Sequence, residues 1–266
     1  MKIIVCAKQV PDTSGKIAVK PDGTLDRASM QTITNPDDLN AVEAALSLKD
    51  KTGCEVVVVT MGPPQAEGML RELLAMGADR AVLVSGREFG GSDTYATSQV
   101  LAAAVNKIGL EAEDIVMCGR QAIDGDTAQV GPQMAEKLQI PQVTYVSDIE
   151  KDGNTLKLRR DLEDGYMTIK VETPCLLTCI KELNNPRYMS VAGIYEAYEK
   201  PFEVFDYDAL KDDPLVVPEE IGLSGSPTNI LVSFTPPQKS AGRMLEGSGK
   251  ATCEELAGLL KEKHVI

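Results

Sequence analysis

Histidine is nearly missing from this chain: 266 residues contain one, His264, near the C-terminal end. A Ser–His–Asp triad moves its proton through an imidazole, so His-based hydrolysis and any His-ligated metal are excluded. Tryptophan is absent, and with 4 Phe and 7 Tyr the chain lacks a platform on which the bases of single-stranded nucleic acid could stack. Positive charge is also in short supply. The 27 Lys and Arg against 40 Asp and Glu leave a net charge of −13, which argues against nucleic acid and anionic membranes, since both select a cationic face. No apolar run reaches the ~20 residues of a transmembrane helix. The run at Met1–Ala7 is too short for a signal peptide, so the expectation is a cytoplasmic protein. Six cysteines (Cys6, Cys54, Cys118, Cys175, Cys179, Cys253) show no C-x-x-C and no repeated spacing, which predicts neither a disulfide framework nor a zinc site. The G-x-G-x-x-G and G-x-x-x-x-G-K-[ST] fingerprints are missing as well, so a nucleotide here must be held in another way. A redox role would need a bound cofactor to carry the electrons.

What is present is alternation. Short apolar runs at Lys2–Ala7, Glu55–Thr60, Ala81–Val84, Ile115–Cys118 and Gln142–Val146 read as buried strands. Between them lie amphipathic stretches: Asn35-Pro36-Asp37-Asp38 opening a helix to about Lys49, then Gln65–Met76, Thr94–Ile108 and Thr127–Leu138. This order predicts an α/β fold with a doubly wound, mostly parallel sheet. Thr155–Asp161, Met167–Val171 and Cys175–Cys179 follow, joined by turn residues, and read as a small antiparallel extension. Cys175 and Cys179 share one strand face but lie too far apart for a disulfide, so both are expected to pack. From Lys200 onward Pro, Asp and Gly accumulate, as in Asp212-Asp213-Pro214, Ser224-Gly225-Ser226-Pro227 and Pro236-Pro237, and only Thr252–Lys263 has helical periodicity. Residues 1–199 are therefore expected to form the nucleotide-binding domain and 200–266 an extended arm that packs on something else.

Ligands of open α/β sheets sit beyond the carboxyl ends of the strands. Four loops there are unusual: Ala7–Asp12, Met61–Gln65, Gly90–Ser98 and Gly119–Gly131. The last runs from a buried strand through glycines into a helix N-terminus, whose free N–H groups can receive a phosphate. Asp124 and Asp126 would repel that phosphate if they faced it, so they are expected to cap the helix or brace the loop from outside, while Gly125 admits the ligand and Arg120 offsets charge. An ordinary capped turn stands as the competing reading. For Asp93-Thr94 with Thr97 the competitor is a plain N-capped helix.

Five segments, Cys6-Ala7-Lys8-Gln9-Val10-Pro11-Asp12, Asn35-Pro36-Asp37-Asp38, Ala75-Met76-Gly77-Ala78-Asp79-Arg80, Gly119-Arg120-Gln121-Ala122-Ile123-Asp124 and Asn185-Pro186-Arg187-Tyr188, occur in one order along nearly the whole chain. Together they resemble the β subunit of electron-transfer flavoproteins. The resemblance implies a Rossmann-type fold of the adenine-nucleotide α-hydrolase-like kind and a heterodimer with a flavin-bearing α subunit, on which the arm would pack. It implies a nucleotide site lined by Cys6, Ala7, Asn35, Asp38, Met61 and the stretch Gly119, Arg120, Gln121, Asp124, Gly125, Asp126, Thr127, Ala128, Gln129 and Val130. The Gly125–Gly131 and Asp93–Ser98 motifs, with Asp93, Thr94 and Thr97, are similar to those of members that hold FAD, accept electrons from NADH and bifurcate them; other members hold AMP, the alternative cofactor, beside a docking role. Implied partners are a flavin dehydrogenase of the acyl-CoA, enoyl-CoA or lactate type and a low-potential acceptor such as ferredoxin or flavodoxin. The segment with Arg187, Tyr188, Val191 and Ile194 corresponds to the loop that docks the dehydrogenase.

Overall fold

The computed structural model describes residues 1–12, 31–231 and 242–266. The elements run β1 (Lys2–Cys6), β2 (Gln9–Pro11), β3 (Thr32–Thr34), α1 (Pro36–Thr52), β4 (Glu55–Met61), α2 (Glu67–Met76), β5 (Arg80–Val84), α3 (Thr94–Ile108), β6 (Ile115–Gly119) and α4 (Val130–Leu138). Then follow β7 (Gln142–Asp152), β8 (Thr155–Asp161), β9 (Tyr166–Glu172), β10 (Cys175–Cys179), α5 (Val191–Glu196), β11 (Phe202–Phe205), α6 (Tyr207–Leu210) and α7 (Lys250–Glu262). Two compact units result, Met1–Leu231 and Val232–Ile266. The described part of the second holds α7, with a Lys250–Glu254 pair one turn apart at 3.7 Å.

Among the described residues nine strands form one sheet in the order β11-β5-β4-β1-β6-β10-β7-β8-β9, and β2 pairs with β3 separately. Every neighbouring pair from β11 to β7 is parallel, whereas β8 and β9 are antiparallel. Helices cover both faces of the parallel part. Val56 and Val58 of β4 face the core beneath α1 and α2, and Val57 and Val59 face the one beneath α3 and α4. Burial on both faces is why these strands read as unbroken apolar runs. Strand order reverses at β1: the chain moves outward through β4 and β5, then returns to β6 on the other side. The crevice above β1 and β6 is therefore the sheet's switch point.

The α/β expectation holds, with four local corrections. Cys175–Cys179 is not part of the antiparallel extension; it inserts in parallel between β6 and β7, and its five residues are all buried. The strand begun at Gln142 continues to Asp152: it pairs with β10 as far as Val146 and with β8 from Val146 onward, with a register shift against β8 between Val146 and Asp148. The helix expected from Thr127 starts at Val130, because Asp126 (φ 51°) and Ala128 (φ 52°) take left-handed backbone that breaks the first turn. Finally, the compact unit extends past residue 199 to Leu231. β11 extends the sheet beside β5, and Phe205, Leu210, Val216 and Ile221 are buried in the α3/α4 core. Pro236-Pro237 of the expected arm lies outside the described residues.

Candidate functional site

Asp38, in the first turn of α1, anchors the floor of the crevice. Its Oδ1 accepts from Gly119 N at 2.7 Å and its Oδ2 from Lys8 N at 2.8 Å, tying α1 to the carboxyl ends of β1 and β6. Burial pushes this carboxyl up to about 7, against the opposing pull of those two N–H groups and the Asn35 side chain. Gly119 permits the approach: a Cβ there would stand 2.5 Å from Asp38 Oδ1 and 2.6 Å from Asp38 N. Asn35 is the N-cap residue of α1 but its side chain makes no cap bond; its Nδ2 donates to Gln121 O at 2.8 Å and its Oδ1 accepts from Ile123 N at 3.1 Å. Cys6 and Ala7 are buried and can offer a ligand only backbone. The Cys6 thiol is pushed up to about 12 by burial, with the nearby Asp38 charge adding to the effect.

From this floor rises the loop Arg120–Gln129. Arg120 N donates to Cys179 O at 2.8 Å, which hangs the loop on β10. Its Nε is buried and ion-pairs with Asp37 Oδ2 at 3.4 Å, without making a hydrogen bond among the described residues. Asp37 is raised by burial and held back by that guanidinium. Asp124 pairs with Lys8 Nζ at 2.7 and 2.8 Å, and Asp126 accepts from Gln121 Nε2 at 2.8 Å. Both carboxylates brace the loop, and neither caps the helix. Thr127 is exposed, Ala128 and Val130 are half-buried, and Gln129 occupies the N-cap of α4 without making a cap bond. Gln129 Oε1 instead accepts from Thr94 Oγ1 at 2.9 Å, joining this loop to the β5–α3 loop.

In that second loop Asp93 is the N-cap of α3, accepting from Ala96 N at 3.1 Å, and Thr97 N donates to Asp93 O at 2.9 Å. The plain capped-helix reading thus accounts for the Asp93 side chain. Sequence gave no warning of its other tie: Asp93 Oδ2 accepts from Thr228 N at 2.9 Å, and Asp93 N donates to Ser226 Oγ at 2.8 Å. Met61 ends β4 half-buried against the α3/α4 core.

The donor set fits a nucleotide phosphate. Among the described residues the first-turn N–H groups of α4 have no side-chain cap, no atom lies within 4 Å of where a Gly125 Cβ would be, and the Arg120 guanidinium stands beside Asp37. No group of three or more His, Cys, Asp or Glu among the described residues is arranged to hold a metal.

Arg187, Tyr188, Val191 and Ile194 do not join the crevice. Arg187 is turned inward onto Glu43 of α1 at 2.9 Å, whereas Tyr188, Val191 and Ile194 are 98 %, 88 % and 48 % exposed. The pairing of Arg187 with Glu43 was not foreseen, and no local spacing signals it.

Sheet order, switch point and helix placement define the class: an open, doubly wound α/β protein of Rossmann type. The chain matches the Electron transfer flavoprotein domain over residues 22–210. Over the full length of both chains it is 64 % identical to acryloyl-CoA reductase electron transfer subunit gamma of Anaerotignum propionicum. It is 53 % identical to caffeyl-CoA reductase-Etf complex subunit CarD of Acetobacterium woodii and 51 % identical to electron transfer flavoprotein subunit beta of Clostridium acetobutylicum, each again over all of both chains. The chain belongs to the electron-transfer flavoprotein family, as a β subunit. Flavin binding and electron transport are properties of that family. Among the described residues no helix is long and apolar enough to cross a membrane.

Proposed function

We propose that this chain holds FAD in the crevice above β1 and β6 and, as a heterodimer with an α subunit, draws electrons from NADH. The pair is then divided between an enoyl-CoA reductase and a low-potential acceptor such as ferredoxin or flavodoxin, in the cytoplasm. The observation that carries the nucleotide part is the uncapped N-terminus of α4 behind the exposed loop at Gly125. Support for the partner comes from two relatives named for acryloyl-CoA and caffeyl-CoA reductases.

Bound FAD would supply acceptance of an electron pair from NADH and release of single electrons. The chain's own work is binding and positioning. N–H groups of Val130 and Gly131, with Arg120, would meet the diphosphate charge, and Lys8 keeps Asp124 neutralised so that the loop does not repel it. Thr94 and Gln129 hold the two loops at a fixed spacing. Tyr188, Val191 and Ile194 would enter an apolar pocket of the reductase, where a small anchor gives specificity with fast release. A site that holds AMP as a structural ligand is the second reading, since AMP uses the same phosphate donors.

Gly125→Val in the heterodimer tests the site, because a Cβ there has no atom of the described residues within 4 Å and the substitution should spare the fold. Loss of one of two flavins per heterodimer supports FAD. Loss of AMP from a complex with a single flavin supports the second reading, and unchanged nucleotide content removes the site from Gly125.

A further inference from the structure

The exposed segment Tyr188–Tyr195 follows a stretch of chain with little regular structure, between a short helical turn at Lys181–Leu183 and α5. An apolar anchor on loose chain loses part of its binding free energy to ordering, so whatever holds the base of this segment decides how well it docks. The holder is α1. Asn40 Nδ2 donates to Asn184 O at 2.8 Å, and Asn184 Nδ2 returns a bond to Asn40 O at 2.9 Å. One turn further along, Glu43 Oε2 accepts from Arg187 N at 3.0 Å and Arg187 Nε at 2.9 Å. Glu43 Oε1 accepts from Arg187 Nη2 at 2.9 Å and Ser47 Oγ at 3.0 Å. The Glu43 side chain is only 9 % exposed, and the Arg187 bonds hold its carboxyl below the ordinary range in spite of burial. Asp50 adds a bond to Arg187 Nη2 at 2.8 Å from an exposed position. On the far side Gly193 is seated on α2, where a Cβ would stand 2.2 Å from Ala75 O. Residues 188–191 therefore span two fixed points.

We propose that Glu43 is a positioning residue for reductase docking, acting through Arg187, whose guanidinium is spent on α1 and does not itself touch the partner. This rests on the docking role assigned above to Tyr188, Val191 and Ile194. A buried bidentate pair restrains both the side chain and the backbone N–H of Arg187, which a lysine or an exposed aspartate could not do.

The test uses the assembled heterodimer with an enoyl-CoA reductase as electron partner, and reads KM for the reductase apart from kcat. Glu43→Gln should raise KM roughly tenfold, with kcat and flavin content unchanged. Arg187→Lys should give a similar rise, and the double variant little more, because both act on one contact. A fall in kcat or flavin content at unchanged KM would mean a merely structural pair and overturn the proposal. Unchanged KM in both single variants, with a rise in Val191→Asp, would overturn it while leaving the docking role intact. Unchanged KM in Val191→Asp would remove the docking role itself. If Glu43→Gln does not fold, Arg187→Lys with Asn184→Ala decides between the same outcomes.

Discussion

Replacing Asp38 with asparagine keeps the shape of a side chain that joins three elements but takes away its charge and one of its two acceptors. In the native chain both oxygens are used, by Gly119 N at 2.7 Å and Lys8 N at 2.8 Å. An amide would leave one of these N–H groups facing an NH2, a loss of about 1–3 kcal/mol. Proton linkage works in the other direction. The folded-state pKa is raised from 3.8 to about 7, with burial as the leading cause, so the folded chain binds more protons than the unfolded one between those values. Stability from this group is present below the unfolded pKa and is lost as pH rises to the folded one. Between about pH 5 and about pH 8 the loss is roughly 2–3 kcal/mol. Asp38→Asn should therefore be the less stable protein at about pH 5 and match or overtake the native chain by about pH 8, as read from urea unfolding at both pH values. Equal pH slopes for the two proteins would refute the reasoning. They would mean that the two N–H bonds outweigh burial and keep Asp38 ionised throughout.

Gly119→Ala puts a Cβ 2.6 Å from backbone atoms of Asp37 and Asp38 that cannot yield, so it should cost about 3 kcal/mol and lower the melting temperature clearly, unlike Gly125→Val. Ending the chain after Glu199 strips Phe205, Leu210, Val216 and Ile221 from the α3/α4 core and should unfold the sheet, at about 2–5 kcal/mol per large side chain. Ending it after Leu231 should leave the thermal transition of the body in place, followed by circular dichroism, and weaken only the complex with the α subunit. Five of the six cysteines are buried, with the Cys6 and Cys175 thiols pushed up to about 12. A thiol reagent at neutral pH should label Cys253 alone, and rapid loss of a second thiol would contradict that burial.

The helix Thr94–Ile108 agrees with the structure at both ends, because its Asp93 cap, its apolar stripe and the glycine that follows are all local features. The first strands were equally legible, since a strand buried on both faces needs an unbroken apolar run. The loops above the switch point could be singled out too, as their position follows from element order alone. What β10 does was not local. Cys-Leu-Leu-Thr-Cys is a buried strand in either setting, and its parallel place between β6 and β7 is a matter of sheet pairing with strands distant in sequence. Residues 200–231 have no periodic stripe, because Phe205, Leu210, Val216 and Ile221 each fill a separate gap on a surface that already exists. The Glu43–Arg187 pair joins positions 144 residues apart. Periodicity records which face of an element is buried, and caps record where it stops. Which elements meet, and which charged groups are thereby forced to pair, is set by packing across the sheet, where free energy depends on neighbours that adjacent residues do not encode.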